Sequence, residues 1–252
     1  METIAFFNLK GGVGKTTSAV NIAWLAANEG IPTLLWDLDP QGAATWLLGS
    51  KAKKKTDARK FISGKTPMGE LVKSTDYSNL DIIPADFSYR HIDQQLLLKG
   101  QQSEENIIKK LVKPFGENYA LIMLDCPPSF SLLTEQVFDT ADSLYIPIIP
   151  THLSLRTYQQ THDFFKKNKL KPKRLHAFFT MVDRRRTLHR LMLDHPPKFV
   201  KNGLATYIPY AAVIERMGDH QAPLSAFDNS SLASKAYRQL WLDIKATLRE
   251  FN

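Results

Sequence analysis

The sequence predicts an α/β fold: a single doubly wound, mostly parallel sheet flanked by helices. Three observations support this. Apolar runs of strand length alternate with longer helical stretches through most of the chain, an order that implies right-handed crossovers between parallel strands. The first run, residues 3 to 9, is apolar without clean alternation, as in a strand covered on both faces. A glycine-rich turn then leads directly into a helical stretch, and a glycine turn there frees the backbone for unusual conformations.

The elements follow in order. Residues 15 to 28 read as a helix, because Ala19, Ile22, Ala23, Leu25 and Ala26 form a broad apolar face that Gly30 and Pro32 end. Residues 33 to 38 read as the next strand, followed by a short helix near residues 43 to 48. Residues 51 to 65 hold Lys, Gly and Ser with few apolar residues, the composition of a mobile basic loop. Further strands are expected at residues 80–83, 120–124, 143–149, 175–181 and 204–208, with helices between most of them. Between residues 166 and 174, Lys166, Lys167, Lys169, Lys171, Lys173 and Arg174 surround Pro172. That stretch reads as a helix end and its connection, where the helix dipole favours cations. A last helix is expected over residues 231 to 250. No repeat or interdomain linker interrupts the order, so residues 1–252 read as one domain.

Composition narrows the class. Hydrophobic residues make up 43% of the 252 and charged residues 23%, which supports a sizeable core and leaves no long disordered tract. No apolar run approaches the roughly 18 residues of a membrane span, and Met1 leads into a strand rather than a signal core. A cytoplasmic protein is expected. Cys126 is the only cysteine, which excludes an internal disulfide and a thiolate metal cluster within one chain. The charge of +8 and pI near 9.4 favour a polyanionic partner; an ordinary solvated basic surface is the alternative.

The most informative segment is Lys10-Gly11-Gly12-Val13-Gly14-Lys15-Thr16-Thr17, between the first strand and the first helix. It should bind phosphate. The glycines let successive backbone N–H groups converge on an anion, and the helix N-terminus adds positive dipole. Lys15 reaches the β- and γ-phosphates, and the Thr16 hydroxyl can ligate Mg²⁺. The second strand ends in Asp37-Leu38-Asp39-Pro40-Gln41-Gly42, delivering carboxylates to the ligand-binding edge of the sheet. The run Leu121-Ile122-Met123-Leu124 ends in Asp125, followed by Cys126-Pro127-Pro128-Ser129. Its carboxylate is placed to hold Mg²⁺ directly or through water, and the following segment to sense the γ-phosphate. Cys126 reads as a small buried filler rather than a nucleophile.

Where an ordinary phosphate loop carries a glycine five residues before Gly14, this chain has Leu9, followed by Lys10. The box Lys-Gly-Gly-x-Gly-Lys-Thr-Thr resembles the deviant Walker A motif of the ParA and MinD superfamily, most closely its ParA-like members. The resemblance implies a P-loop ATPase with ATP and Mg²⁺ as cofactors, and it runs through nearly the whole chain. It also implies that Lys10 crosses a dimer to the partner's nucleotide, where a cation stabilises developing charge as an arginine finger does. Lys10, Lys15 and Asp39 would then be the catalytic set, with Asp39 orienting water and joining Thr16 and Asp125 around the metal. Met181, Asp183 and Pro209 match places where such proteins surround adenine; Pro209 as a strand terminator is an equal alternative, and ordinary core is the alternative for Met181.

The same resemblance implies an ATP-dependent homodimer that binds nucleoid DNA without sequence preference, and a ParB-like or cargo-adaptor protein that stimulates slow hydrolysis. Its task would be to partition DNA or position a cytoplasmic cargo. For the DNA surface, projection of residues 231–250 at about 100° per residue puts Leu232, Ala236, Tyr237, Leu240, Trp241, Ile244 and Leu248 on one face. Lys235, Arg238, Lys245 and Arg249 fall in a stripe on the other. Arg184, Arg185, Arg186 and Arg190 form a second basic cluster. Two rivals share the fold. A MinD-like membrane-cycling regulator needs an amphipathic anchor beyond the core; only Phe251 and Asn252 follow the expected last helix, so no stable membrane association is expected. An ATP-dependent ligase needs a substrate pocket that no motif marks.

Overall fold

The computed structural model describes residues 1–50, 58–100, 106–170 and 175–248. Seven strands form one sheet: β1 (Glu2–Phe6), β2 (Thr33–Asp37), β3 (Lys73–Ser74), β4 (Leu80–Ile83), β5 (Leu121–Asp125), β6 (Ser143–Ile148) and β7 (Leu175–Phe179). Their order is β3-β4-β2-β5-β1-β6-β7, all parallel except the β3–β4 pair. Every residue of β1 is buried, because it lies between β5 and β6 with helices on both faces. The alternation of side chains then sorts two cores: Ala5 and Phe7 enter one, Ile4 and Phe6 the other.

The helices in chain order are α1 (Lys15–Asn28), α2 (Ala43–Leu47), α3 (Ala58–Ile62), α4 (Ile92–Gly100), α5 (Ile107–Val112), α6 (Leu132–Thr140), α7 (His152–Lys167) and α8 (Thr187–Asp194). Short helices α9 (Pro196–Phe199), α10 (Ala212–Glu215), α11 (Met217–His220) and α12 (Leu224–Phe227) precede α13 (Leu232–Lys245). Helices α1 and α13 cover the Ile4 face, and α3 to α8 cover the Phe7 face. Tyr237, Leu240, Trp241 and Ile244 of α13 are at most 2% exposed. At roughly 2 kcal/mol each, they set how α13 docks far more than its exposed charges, whose ion pairs contribute at most about 1 kcal/mol.

Several elements differ from the sequence reading. Residues 204–208 are not a strand: the stretch follows β7 only through Leu204 N to Ala177 O and Ile208 N to Phe179 O, at 2.7 and 2.8 Å. Between them the Thr206 amide donates instead to the Asp243 carboxylate of α13 at 2.9 Å, so no ladder forms. The expected basic loop contains α3, whose Ala58, Phe61 and Ile62 are buried. Phe61 alone contacts the rings of Trp36 and Tyr89 edge-on, so a few apolar residues sufficed; residues 51–57 lie outside the described residues. β3 is too short for its pattern to register. β7 stops at Phe179, where the Thr180 hydroxyl turns to Val13 O and Met181 takes φ 51°. α7 ends at Lys167, and residues 171–174 lie outside the described residues. Leu232, expected on the apolar face of the last helix, is 78% exposed, and Ala233 and Ser234 are buried in its place.

Candidate nucleotide site

The loop from Asn8 to Thr17 is built by short local bonds. Asn8, buried at the end of β1, donates from Nδ2 to Pro147 O of β6 at 2.7 Å and accepts the Lys10 amide on Oδ1 at 2.9 Å. The chain then turns through Gly11, Gly12 and Val13. Gly12 at φ 68° and Gly14 at φ 88° occupy the left-handed region, which side chains disfavour. Val13 is buried, and its carbonyl accepts the Thr180 hydroxyl at 2.8 Å, which pins the loop to the end of β7. Gly14 opens α1 without a side-chain cap, and no acidic residue lies in its first turn. Amides and dipole at that helix end are therefore left for an anion.

Lys15 and Lys10 are in opposite states. Lys15 is 7% exposed, with Nζ donating to Lys10 O at 3.2 Å. Burial lowers its pKa, and Asp125 and Asp39 oppose the shift. The Lys10 side chain is exposed at the mouth of the loop. Thr16 sits half-buried beside Asp125, and the Thr17 carbonyl accepts from Asn21 Nδ2 at 2.8 Å.

Two carboxylates face each other on adjacent strands, Asp37 and Asp125, paired in the β2–β5 register and both fully buried. Asp37 is satisfied: Oδ2 accepts the Thr45 amide and hydroxyl at 2.8 and 2.7 Å, and Oδ1 the Asp39 amide at 3.2 Å. Burial still raises its pKa to about 6 against those bonds. Asp125 is not satisfied. Neither of its oxygens meets a donor at hydrogen-bonding geometry, although Thr16 and Lys15 both lean toward stabilising its charge. Burial first, then Asp37, push its pKa well above the carboxylate range.

An orphaned buried carboxylate beside a threonine hydroxyl fits a divalent cation. Asp125 and Thr16 would hold Mg²⁺, which supplies charge neutralisation at phosphate oxygens. Two protein groups leave the other positions to phosphate and water, as Mg²⁺ sites commonly do. Among the described residues no group of three or more His, Cys, Asp or Glu forms a metal cage by itself. Asp39 is half-buried and holds its turn, accepting the Gln41 amide at 3.0 Å with Gly42 at φ 66°. Cys126 is buried with its thiol pKa raised by burial, in keeping with a filler.

Thr180 also brings the expected adenine residues toward the loop. Val182 bridges Pro209, so Met181, Asp183 and Pro209 lie side by side. The Asp183 carboxylate is already clamped by Arg185, Nε to Oδ1 and Nη2 to Oδ2 at 2.9 Å each, which holds its pKa down at about 2. On α13 the expected stripe is partly engaged. Lys235 is exposed, Arg238 donates to Asn229 Oδ1 and O at 2.6 and 2.9 Å, and Lys245 pairs with Glu29 at 2.7 Å. Arg249 lies outside the described residues.

The sequence reading quoted Asp37 without a role and missed Thr45, Asn8 and Thr180. Asp37 stood visible in its motif. Thr45 lies eight residues on, with no local pattern to link the two, and Thr180 meets Val13 only through the fold.

The comparisons agree with this geometry. The family model described as an AAA domain matches residues 1–176. The sporulation initiation inhibitor protein Soj of Bacillus subtilis is 30% identical, over 97% of this chain and 98% of its own length. The chain belongs to the ParA/Soj family of deviant Walker A ATPases. Solved structures extend that likeness as fold alone. An ATP complex of McdA from Cyanothece is 19% identical with a TM-score of 0.81, covering 97% of this chain and 96% of that one. Cobyrinic acid a,c-diamide synthase from Mycobacterium smegmatis, with bound ATP analogue and magnesium, is 24% identical with a TM-score of 0.78, covering 96% and 92%. In this ParA/Soj-family ATPase, no helix among the described residues is long and apolar enough to cross a membrane.

Proposed function

We propose that this ParA/Soj-family ATPase is a partition switch: ATP joins two copies into a sandwich, the dimer binds DNA without sequence preference, and hydrolysis releases it. One observation carries the reading. The same loop buries one lysine against its own backbone and leaves the other, Lys10, exposed at its mouth. A buried lysine serves the chain's own phosphates; an exposed one is free to serve a second copy.

In this reading Lys15 and the amides at the start of α1 bind and orient the triphosphate. Lys10 of each copy places its charge against the other copy's terminal phosphate, stabilising charge as it develops. Asp39, half-buried at the end of the second strand, orients the attacking water. Thr16 and Asp125 hold the Mg²⁺, Asp39 joins them through a metal-bound water, and Met181, Asp183 and Pro209 border the base, Asp183 through its backbone because its carboxylate is taken. The relative named chromosome-partitioning ATPase Soj, from Treponema pallidum, is 28% identical over 97% of both chains, which supports DNA partitioning as the task, with positioning of a cytoplasmic cargo as the alternative. A ParB-like or adaptor protein would stimulate turnover, and the protein would reside in the cytoplasm on the nucleoid.

Light scattering with ATP, ADP and duplex DNA tests this reading. Wild type should dimerise with ATP alone, and Asp39→Ala should accumulate the ATP dimer on DNA. Lys10→Ala should keep nucleotide binding but lose stable dimers and cut hydrolysis by roughly a hundredfold. A monomeric Asp39→Ala protein in saturating ATP would remove Asp39 from the hydrolytic step.

A further inference from the structure

The turn that borders the base in this reading is held by a residue that no motif marks. His189 lies with Met192 on the buried face of α8 and is 3% exposed. Its Nδ1 accepts the Asp183 amide at 3.0 Å, so the ring proton sits on Nε2, which is buried without a partner among the described residues. Burial first, then Arg186, lower the ring's pKa while Asp183 opposes them. The neutral ring, which can accept, is the form that is kept.

This bond completes a clamp on the peptide that joins Val182 to Asp183. On the other side of that peptide the Val182 carbonyl accepts the Tyr210 amide at 3.0 Å, and the Val182 amide donates to Ile208 O at 3.0 Å. The N–H groups of Val182, Asp183 and Tyr210 are thus spent inside the protein, and Pro209 has none. Of the residues that border the base, Met181 is the one whose N–H is not held by the described residues. Acceptors remain: the Pro209 carbonyl, and the Asp183 carbonyl, which takes the Arg186 amide at 3.0 Å and keeps a second lone pair. Purines differ at the 6-position in the sense of the group they present, because adenine carries an amine that donates and guanine an oxygen that accepts. A rim of carbonyls matches the amine, and the Asp183 amide is the donor that a 6-oxo group lacks.

We propose that His189 sets the choice of base, favouring a 6-amino over a 6-oxo purine by withholding the Asp183 amide from the nucleotide. It touches no reacting atom and acts through the peptide it holds, as a positioning residue. The inference rests on the reading in which Met181, Asp183 and Pro209 border the base, and adds what makes that border selective. A site whose hydrogen-bonding groups are fixed in one sense rejects a ligand that presents the opposite sense, since groups on both sides are left unpaired.

Calorimetric titration of the full chain with ATP and with GTP, each with Mg²⁺, tests it. The variants are His189→Leu and His189→Ala, which lack an acceptor, and His189→Asn, whose Oδ1 can take the place of Nδ1. Wild type should prefer ATP. The ratio of ATP to GTP affinity should fall by roughly tenfold in whichever acceptor-less variant stays folded, and should return in His189→Asn. A merely structural role would weaken both nucleotides together, so an unchanged ratio overturns the proposal. An Asn variant that behaves like Leu, or a wild type with no preference, overturns it too. Photolabelling of wild type with 2-azido-ATP separates this failure from that of the underlying reading. Label within residues 181–210 is expected; label that falls only elsewhere takes the base away from this rim, and both readings fall. Label at the rim with an unchanged ratio removes His189 alone.

Discussion

The phosphate loop, with its glycines and lysines, and the basic stripe of α13 both stand out by residue spacing, yet the fold treats them in different ways. In the loop, backbone geometry does the placing: Gly12 and Gly14 lie in the left-handed region, and Asn8 and Thr180 tie the turn to β6 and β7. Each loop residue then has one place to be. On α13, apolar burial of Tyr237, Leu240, Trp241 and Ile244 orients the helix, and the outward cations find whatever is near. Arg238 meets Asn229 and Lys245 meets Glu29. A motif whose spacing encodes backbone shape survives folding intact, whereas a stripe of long side chains is open to capture by neighbours.

The strongest test of this contrast is Lys15→Ala, which should lower ATP affinity by roughly a hundredfold or more, measured by calorimetry, because a buried charge cannot be replaced from the surface. Near-normal affinity would mean the loop is no more committed than the stripe. Next comes Thr45→Val, which keeps the volume but leaves Asp37 and the Ala85 amide each short of a buried partner. Urea unfolding should show a loss of about 2 kcal/mol, and an unchanged midpoint would deny that this threonine holds α2 in place.

Smaller effects are expected on the stripe. Alanine at Lys235, Arg238, Lys245 and Arg249 together should weaken duplex binding for all sequences and flatten its salt dependence. Singly, Lys235→Ala should cost more than Lys245→Ala, because Glu29 already neutralises Lys245; the reverse order in anisotropy titrations would show that the Glu29 pair opens on DNA.

The smallest effect belongs to Asp183. Arg185 depresses its folded pKa to about 2, below the unfolded value near 4. Its stabilisation is therefore complete above about pH 4 and lost as pH falls toward about 2. The melting temperature of Asp183→Asn should lie slightly below wild type at neutral pH and converge with it in acid. A constant gap would show that the Arg185 pair is not responsible.

Much of the fold could be read because parallel strands buried on both faces announce themselves as apolar runs, and β2, β4 and β6 lie within a residue of their expected bounds. The nucleotide loop was legible for the same reason that it is robust. What escaped were features that depend on distant partners. Residues 204–208 have strand-like composition, but Asp243 takes the Thr206 amide. Residues 58–62 lie inside a Lys-rich stretch with few apolar residues, but Phe61 reaches two aromatic rings from elsewhere. In the site, Asp125 was found by its place at a strand end, while its burial against Asp37 without a well-aligned donor became visible only once β2 and β5 were paired.

Trp46 of α2 lies 52% exposed against Gly218, where even a methyl group would come within 3.2 Å of the indole. The indole therefore sits where one side is solvent and the other is bare peptide. Any rotation of α2 as the terminal phosphate comes and goes would change how much water the ring sees, giving the protein its own optical gauge of the catalytic cycle. Trp36 and Trp241, sealed in the two cores, would supply a steady background against which that signal is read.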